Sequence, residues 1–204
     1  EVYLSEIGVT TSKKTKEGWS HPERAIIENL HSQSQFNEFF LAANKKVMLM
    51  SLDRLEGEGA NDIYVSFLKV DNTWTEPKNI GKTVNTANIE TAPFLAADNK
   101  TLYFSSNGHR GYGDKDIFVS TRLDDSWTNW STPVNMGDAI NTPESENYYS
   151  IPASGEYAYF VSQNNSMGGN DIFRVKLPNS IKPQPVALIY GNVYNADTKN
   201  IAKT

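Results

Sequence analysis

Cysteine is absent from the 204 residues. That removes disulfides, thiolate nucleophiles and Cys-based zinc sites together, although it does not decide the compartment. Long apolar runs are missing too. No stretch approaches the roughly 18 apolar residues of a membrane span. There is no basic run: 19 Lys and Arg stand against 24 Asp and Glu, for a net charge of −5. Such a chain has little with which to hold a phosphate backbone, so no nucleic-acid partner is expected. Only three histidines occur, His21, His31 and His109, and they share no metal-ligand spacing. Each reads as a surface or loop residue. No Gly-x-Ser-x-Gly nucleophile motif is found. What is present is globular: 38% hydrophobic and 11% aromatic residues. The length fits one large domain, or one with an added piece, burying about 70% of the unfolded surface. The opening Glu1-Val2-Tyr3-Leu4-Ser5 reads as a strand and not as a targeting signal.

The dominant feature is an internal repeat. Asp-Ile followed by an aromatic or basic-apolar strand occurs at Asp62, Asp116 and Asp171, 54 and then 55 residues apart. Trp-x-x-Pro occurs at Trp19, Trp74 and Trp130, spaced 55 and 56. An apolar strand precedes each Asp, at Val47–Ser51, Leu102–Ser106 and Ala158–Ser162. Three markers holding one period make chance a poor explanation. The amino terminus fits as well, since Val2-Tyr3-Leu4-Ser5 matches the strand after the Asp.

Within a period the chain reads as short strands separated by turn signals. In the middle repeat these are Ala92–Ala96, Thr101–Ser106, Asp116–Leu123 and a short fourth strand near Trp127–Pro133. Ala97–Lys100 is a tight polar turn and Asn107–Lys115 a Gly-rich loop. No convincing amphipathic helix accompanies them; Pro22–Leu30 is the best candidate for a turn or two. Four antiparallel strands per repeat predict an all-β chain of β-propeller blades. Residues 1–24 are then a partial blade, and 25–80, 81–136 and 137–178 three further blades, the last lacking its Trp-x-x-Pro strand. Four blades at this period need about 220 residues, so a fragment of a larger ring is expected. Residues 179–185 form a Pro-rich linker, and 186–204 start a different strand pattern.

The run Asp98–Asn107, with Gly111-Tyr112-Gly113 and Asp116–Ser120, resembles the WD-like propeller repeat of the TolB type. The resemblance covers 1–178. The first unit departs from it at Asn44-Lys45-Lys46 and the third at Ser154-Gly155-Glu156. Gly191–Lys199 looks like the first strand of a carboxypeptidase-regulatory-like β-sandwich. Together these are similar to the OmpA-family, PorE-like cell-envelope architecture associated with type IX secretion. That resemblance implies a periplasmic, outer-membrane-associated scaffold whose propeller loops meet envelope proteins. It implies peptidoglycan binding only through a domain that these residues do not contain.

Asp62, Asp116 and Asp171 could form a ring of carboxylates for a cation, but a residue repeated in every blade is read as architectural, accepting backbone N–H groups. The loops 55–61 and 111–114 lack the order of a calcium hand. Gly111-Tyr112-Gly113 lacks a nucleotide fingerprint. Trp19, Trp74 and Trp130 are expected to pack between blades. Trp127 breaks the period and is the candidate for an exposed contact. The Gly-rich loops 55–61, 107–115 and 163–170 are the candidate contact loops, and Tyr112, Asp114 and Met167 on the last two complete the contact set, with Tyr148 and Tyr149 as weaker additions. No catalytic, cofactor or metal residues are assigned. The rival readings are a hydrolytic envelope protein (a glycan-active enzyme or a peptidase cap) and a carbohydrate-binding propeller; Val70–Trp74 lacks the Ser and Gly of a sialidase Asp box.

Overall fold

The computed structural model describes residues 8–152, 155–177 and 182–186. Among them there are strands and no helix. Two small pairs come first: β1 (Thr10–Thr11) pairs with β4 (Glu23–Arg24), and β2 (Lys14–Thr15) with β3 (Gly18–Trp19). Then follow three antiparallel sheets. The first unit is β5 (Glu38–Leu41), β6 (Val47–Asp53), β7 (Asn61–Phe67) and β8 (Lys78–Asn79). The second is β9 (Glu90–Leu95), β10 (Thr101–Ser106), β11 (Asp116–Thr121) and β12 (Val134–Asn135). The third holds β13 (Asn147–Ser150), β14 (Tyr157–Ser162) and β15 (Asp171–Lys176). In each, strands adjacent in sequence are adjacent in the sheet.

Alternation along the strands explains how the sheets stack. In the first unit Leu49, Ile63 and Val65 face the second unit, packing with Leu102, Phe104 and Phe118. Their neighbours Met48, Met50, Leu52 and Tyr64 face the other way, onto Ala25, Ile27 and Leu30. The second unit repeats the scheme. Leu102 and Phe104 face back, while Tyr103 and Ile117 meet Ala158, Phe160 and Tyr149 of the third. Strands clad on both faces read as unbroken apolar runs, which is why Val47–Leu52 carries no polar alternation beyond Ser51.

Several sequence expectations need correction. Pro22–Leu30 is no helix: Glu23–Arg24 is a strand and Ile27 bridges Trp74 in parallel. The fourth strand of the middle repeat is Val134–Asn135, beyond the expected 127–133; Trp130 makes only an isolated bridge to Arg122. Val2–Ser5 and nearly all of 186–204 lie outside the described residues, as do 179–181 of the linker. The described part of the linker, 182–185, returns over the second unit, where the Gln184 N–H donates to Asp98 Oδ2 at 3.0 Å.

Candidate interaction surface

Each loop between the second and third strands of a unit is built around one aspartate. The carboxylate Oδ2 accepts the N–H of the residue four positions earlier: Glu58 for Asp62, Tyr112 for Asp116 and Met167 for Asp171. In the first two units it also accepts Nδ2 of an outer-strand asparagine, Asn79 to Asp62 at 3.1 Å and Asn135 to Asp116 at 2.9 Å. This geometry holds the loop closed. It also puts Glu58, Tyr112 and Met167 at one equivalent position on three successive loops. Tyr112 is 53% and Met167 98% exposed. In the first loop Leu55 stands out, while Arg54 is buried beneath, pairing with Glu56 and with Glu76 at 3.2 Å and lying over the Tyr64 ring.

The Asp62 carboxyl is fully buried, and its Oδ1 has no partner among the described residues. Desolvation pushes its pKa up to about 6, against the lowering effect of the Glu58 N–H bond. An aspartate of the unfolded chain ionises near 4. Between those values the folded state keeps the extra proton, so this group's contribution to stability is greatest at about pH 4 and declines as pH rises through 6. Asp62→Asn keeps an acceptor for Glu58 and removes the titration. The stability of the unaltered protein relative to this variant is expected to fall by about 2–3 kcal/mol from pH 4 to pH 7. Urea unfolding midpoints across that range measure it, and a pH-independent difference would refute it.

The tryptophans rearrange the expected picture. Trp74 and Trp130 are buried, at 6% and 3% exposure. Trp19 is 71% exposed, on the two-residue strand of a hairpin that forms a two-stranded sheet of its own among the described residues. Trp127 is the reverse, 8% exposed. Its turn folds back so that the indole meets Phe67 of the first unit at 5.5 Å and Trp130 at 6.2 Å, with the Arg122 guanidinium 4.4 Å above it. It is an inter-unit packing residue and not an exposed contact. Tyr149 is likewise buried against Tyr103, at 4.8 Å between rings. Tyr112 and Asp114 share one loop and Met167 lies on the next; Trp127 belongs to a different turn and is not brought to them.

Two features escaped the sequence reading. Asn85 donates Nδ2 to the Ile63 carbonyl and accepts the Ile63 N–H, at 2.9 and 2.8 Å, while also bonding Asn79. Glu90, fully buried, accepts from the N–H and hydroxyl of Thr86 and from Ser106. Asn141 and Glu146 repeat both arrangements with Ile117, Asn135, Thr142 and Ser162. The signal was available: Asn-x-Gly-x-x-aliphatic-Asn-Thr at 79–86 and again at 135–142. The second feature is Glu38. Its carboxylate accepts the Ala92 N–H and, at 2.8 Å, the Tyr148 hydroxyl, whose pKa rises to about 12 through that bond. The first strands β5, β9 and β13 lie side by side there and bound a cavity of about 350 Å³ lined by Phe39, Phe94 and Tyr148.

Among the described residues no group of three His, Asp or Glu side chains is placed to hold a metal ion. No helix there is long and apolar enough to cross a membrane. Compared with known proteins, the chain matches no family, no curated protein and no solved structure.

Proposed function

We propose that these sheets are blades of a β-propeller acting as a non-enzymatic interaction scaffold in the cell envelope, facing the periplasm. The supporting observation is the use made of the repeated polar residues. Asp62, Asp116, Asn85, Asn141, Glu90 and Glu146 all bond backbone or neighbouring hydroxyls, which makes them architectural. Tyr112 and Met167 are presented to solvent at one repeated loop position, while Glu58 at the same position of the first loop pairs with Lys82 at 3.4 Å; a rigid frame that presents variable loop tips is a recognition device. The PorE-like, OmpA-family layout supplies the envelope setting by resemblance alone, and with it an association with type IX secretion.

The test keeps the frame intact. Tyr112→Ser with Met167→Ser leaves both backbone N–H bonds to the aspartates. Recovery of envelope partners by crosslinking to the chain is expected to drop at least tenfold, with the unfolding midpoint unchanged. Equal recovery would sink the loop-face assignment. The carbohydrate-binding alternative draws on the cavity at Glu38, where Tyr148 is 57% exposed and can stack on a sugar ring. Glycan-array binding abolished by Tyr148→Ala would favour that reading instead.

A further inference from the structure

The first two units show in atomic detail what each unit's outer face receives. In the first, the outer edge of β7 takes β8, then the side chain of Asn85 on the Ile63 backbone, while Gly59 lies against the backbone of residues 86–88. In the second, β11 takes β12, then Asn141 on the Ile117 backbone, while Gly113 lies against residues 142–143. The received segment has one composition in both places: a two-residue strand, Asn-x-Gly, an aliphatic residue, Asn-Thr and a glutamate four residues on.

The third unit carries the receiving half of this joint. Val161 pairs with Ile172 in β14–β15, as Ser51 pairs with Ile63 and Ser105 with Ile117, so the Ile172 N–H and carbonyl point to the same outer edge. Asp171 holds its loop through the Met167 N–H like its counterparts. Yet among the described residues β15 has no outer strand, and nothing lies within 4 Å of where a Cβ on Gly168 or Gly169 would be. Ile172 is 76% exposed where Ile63 and Ile117 are fully buried, and Tyr159 is 37% exposed where Leu49 and Tyr103 are buried. A terminal repeat that ends a stack carries a polar outer face. This one is mixed: Tyr159 and Ile172 stand exposed beside two cations, Lys176 and Arg174, the latter replacing Val65 and Val119 and lying 4.6 Å from the Tyr157 ring.

We infer that the outer edge and face of the third unit, centred on Asp171 and Ile172, bind a further copy of the repeat segment Asn-x-Gly-x-x-(Val/Ile)-Asn-Thr, by strand addition to β15. This rests on the reading of the sheets as stacked blades. The occupant is specified by continuity with the two joints already formed. Its first asparagine bonds Asp171 and its second the Ile172 backbone, with an acidic or aromatic group suited to Arg174. A second copy of this chain is the poorer occupant, since both of its own segments, 79–86 and 135–142, are engaged internally.

A fluorescein-labelled peptide of residues 134–146 tests this by anisotropy against the full chain. Saturable binding is expected, weakened at least tenfold by Asn141→Ala in the peptide and similarly by Asp171→Ala in the protein, with the Ile172 amide gaining hydrogen-exchange protection. Absence of saturable binding at millimolar peptide, or indifference to Asn141→Ala, would overturn the inference. So would self-association of the chain alone that Ile172→Arg abolishes, which would assign the face to a second copy. The loop variants Tyr112→Ser and Met167→Ser lie off β15, so loss of envelope partners alongside a silent peptide would leave the scaffold reading standing and remove this one.

Discussion

Asn85→Ala is expected to lower the free energy of unfolding by about 2–3 kcal/mol, which is a large share of a typical domain's stability. The size follows from what is left behind. Ile63 is fully buried; Asn85 is the acceptor for its N–H and shares its carbonyl with the Ile80 N–H at 3.2 Å. Truncation orphans the Ile63 N–H at roughly 1–3 kcal/mol, leaves the carbonyl on the Ile80 N–H alone, and removes the donor to Asn79 Oδ1 as well. Water cannot readily replace the amide, because Ile80 and Val84 beside it are themselves fully buried. Asn141→Ala should behave alike at Ile117, since it makes the same three bonds. Urea unfolding followed by tryptophan fluorescence gives both values. A change below 1 kcal/mol for either would show that these bonds are exchanged for water at little cost, and that the joint between units is not held by asparagine.

How much of this could be read from sequence depends on the range of the interaction. The all-β class, the strands at 47–53, 61–67, 101–106 and 116–121, and the repeat itself were legible, because a period of about 55 residues and the turn residues are local signals. The aspartate loops were legible for the same reason. Trp127 was misread because the turn from Asp124 to Asn129 is longer than its counterpart at Asp71–Thr73, so the tryptophan that breaks the period falls back onto Phe67 of the preceding unit. Trp19 departs in the opposite sense: it keeps the period, but among the described residues its hairpin joins none of the three larger sheets. Periodicity reports position within a unit, whereas burial depends on the neighbouring unit. The Asn85–Glu90 network was written in the sequence at a 56-residue spacing, but polar residues at such spacing resemble ordinary turn signals until their partners are seen. The Glu38–Tyr148 bond, 110 residues apart, had no local signature at all.

The seam between units offers the second large effect, at Gly113. A Cβ there would lie 2.3 Å from the Pro143 carbonyl oxygen and 2.4 Å from both the Pro143 carbonyl carbon and the Thr142 oxygen. These are backbone atoms, so no side-chain rotation relieves the clash. The two units must separate locally, and the seam they share is zipped by the Glu146 N–H to the Lys115 carbonyl at 2.7 Å and the Asp114 N–H to the Glu144 carbonyl at 3.3 Å. Gly113→Ala is therefore expected to cost about 3 kcal/mol or more, at the upper end of overpacking penalties. The equivalent Gly59→Ala meets backbone of residues 86–88 at 2.5–2.6 Å and should cost a similar amount. Gly169 supplies the control. It lies in the corresponding loop of the third unit, at ordinary φ and with nothing within 4 Å of its notional Cβ. Gly169→Ala should be neutral within about 0.5 kcal/mol, because only the unfolded chain feels the change. Thermal unfolding of the three variants separates two explanations of the Gly-rich loops. A penalty at Gly59 and Gly113 with silence at Gly169 assigns the glycines to close approach between units. An equal penalty at all three would assign them to loop conformation.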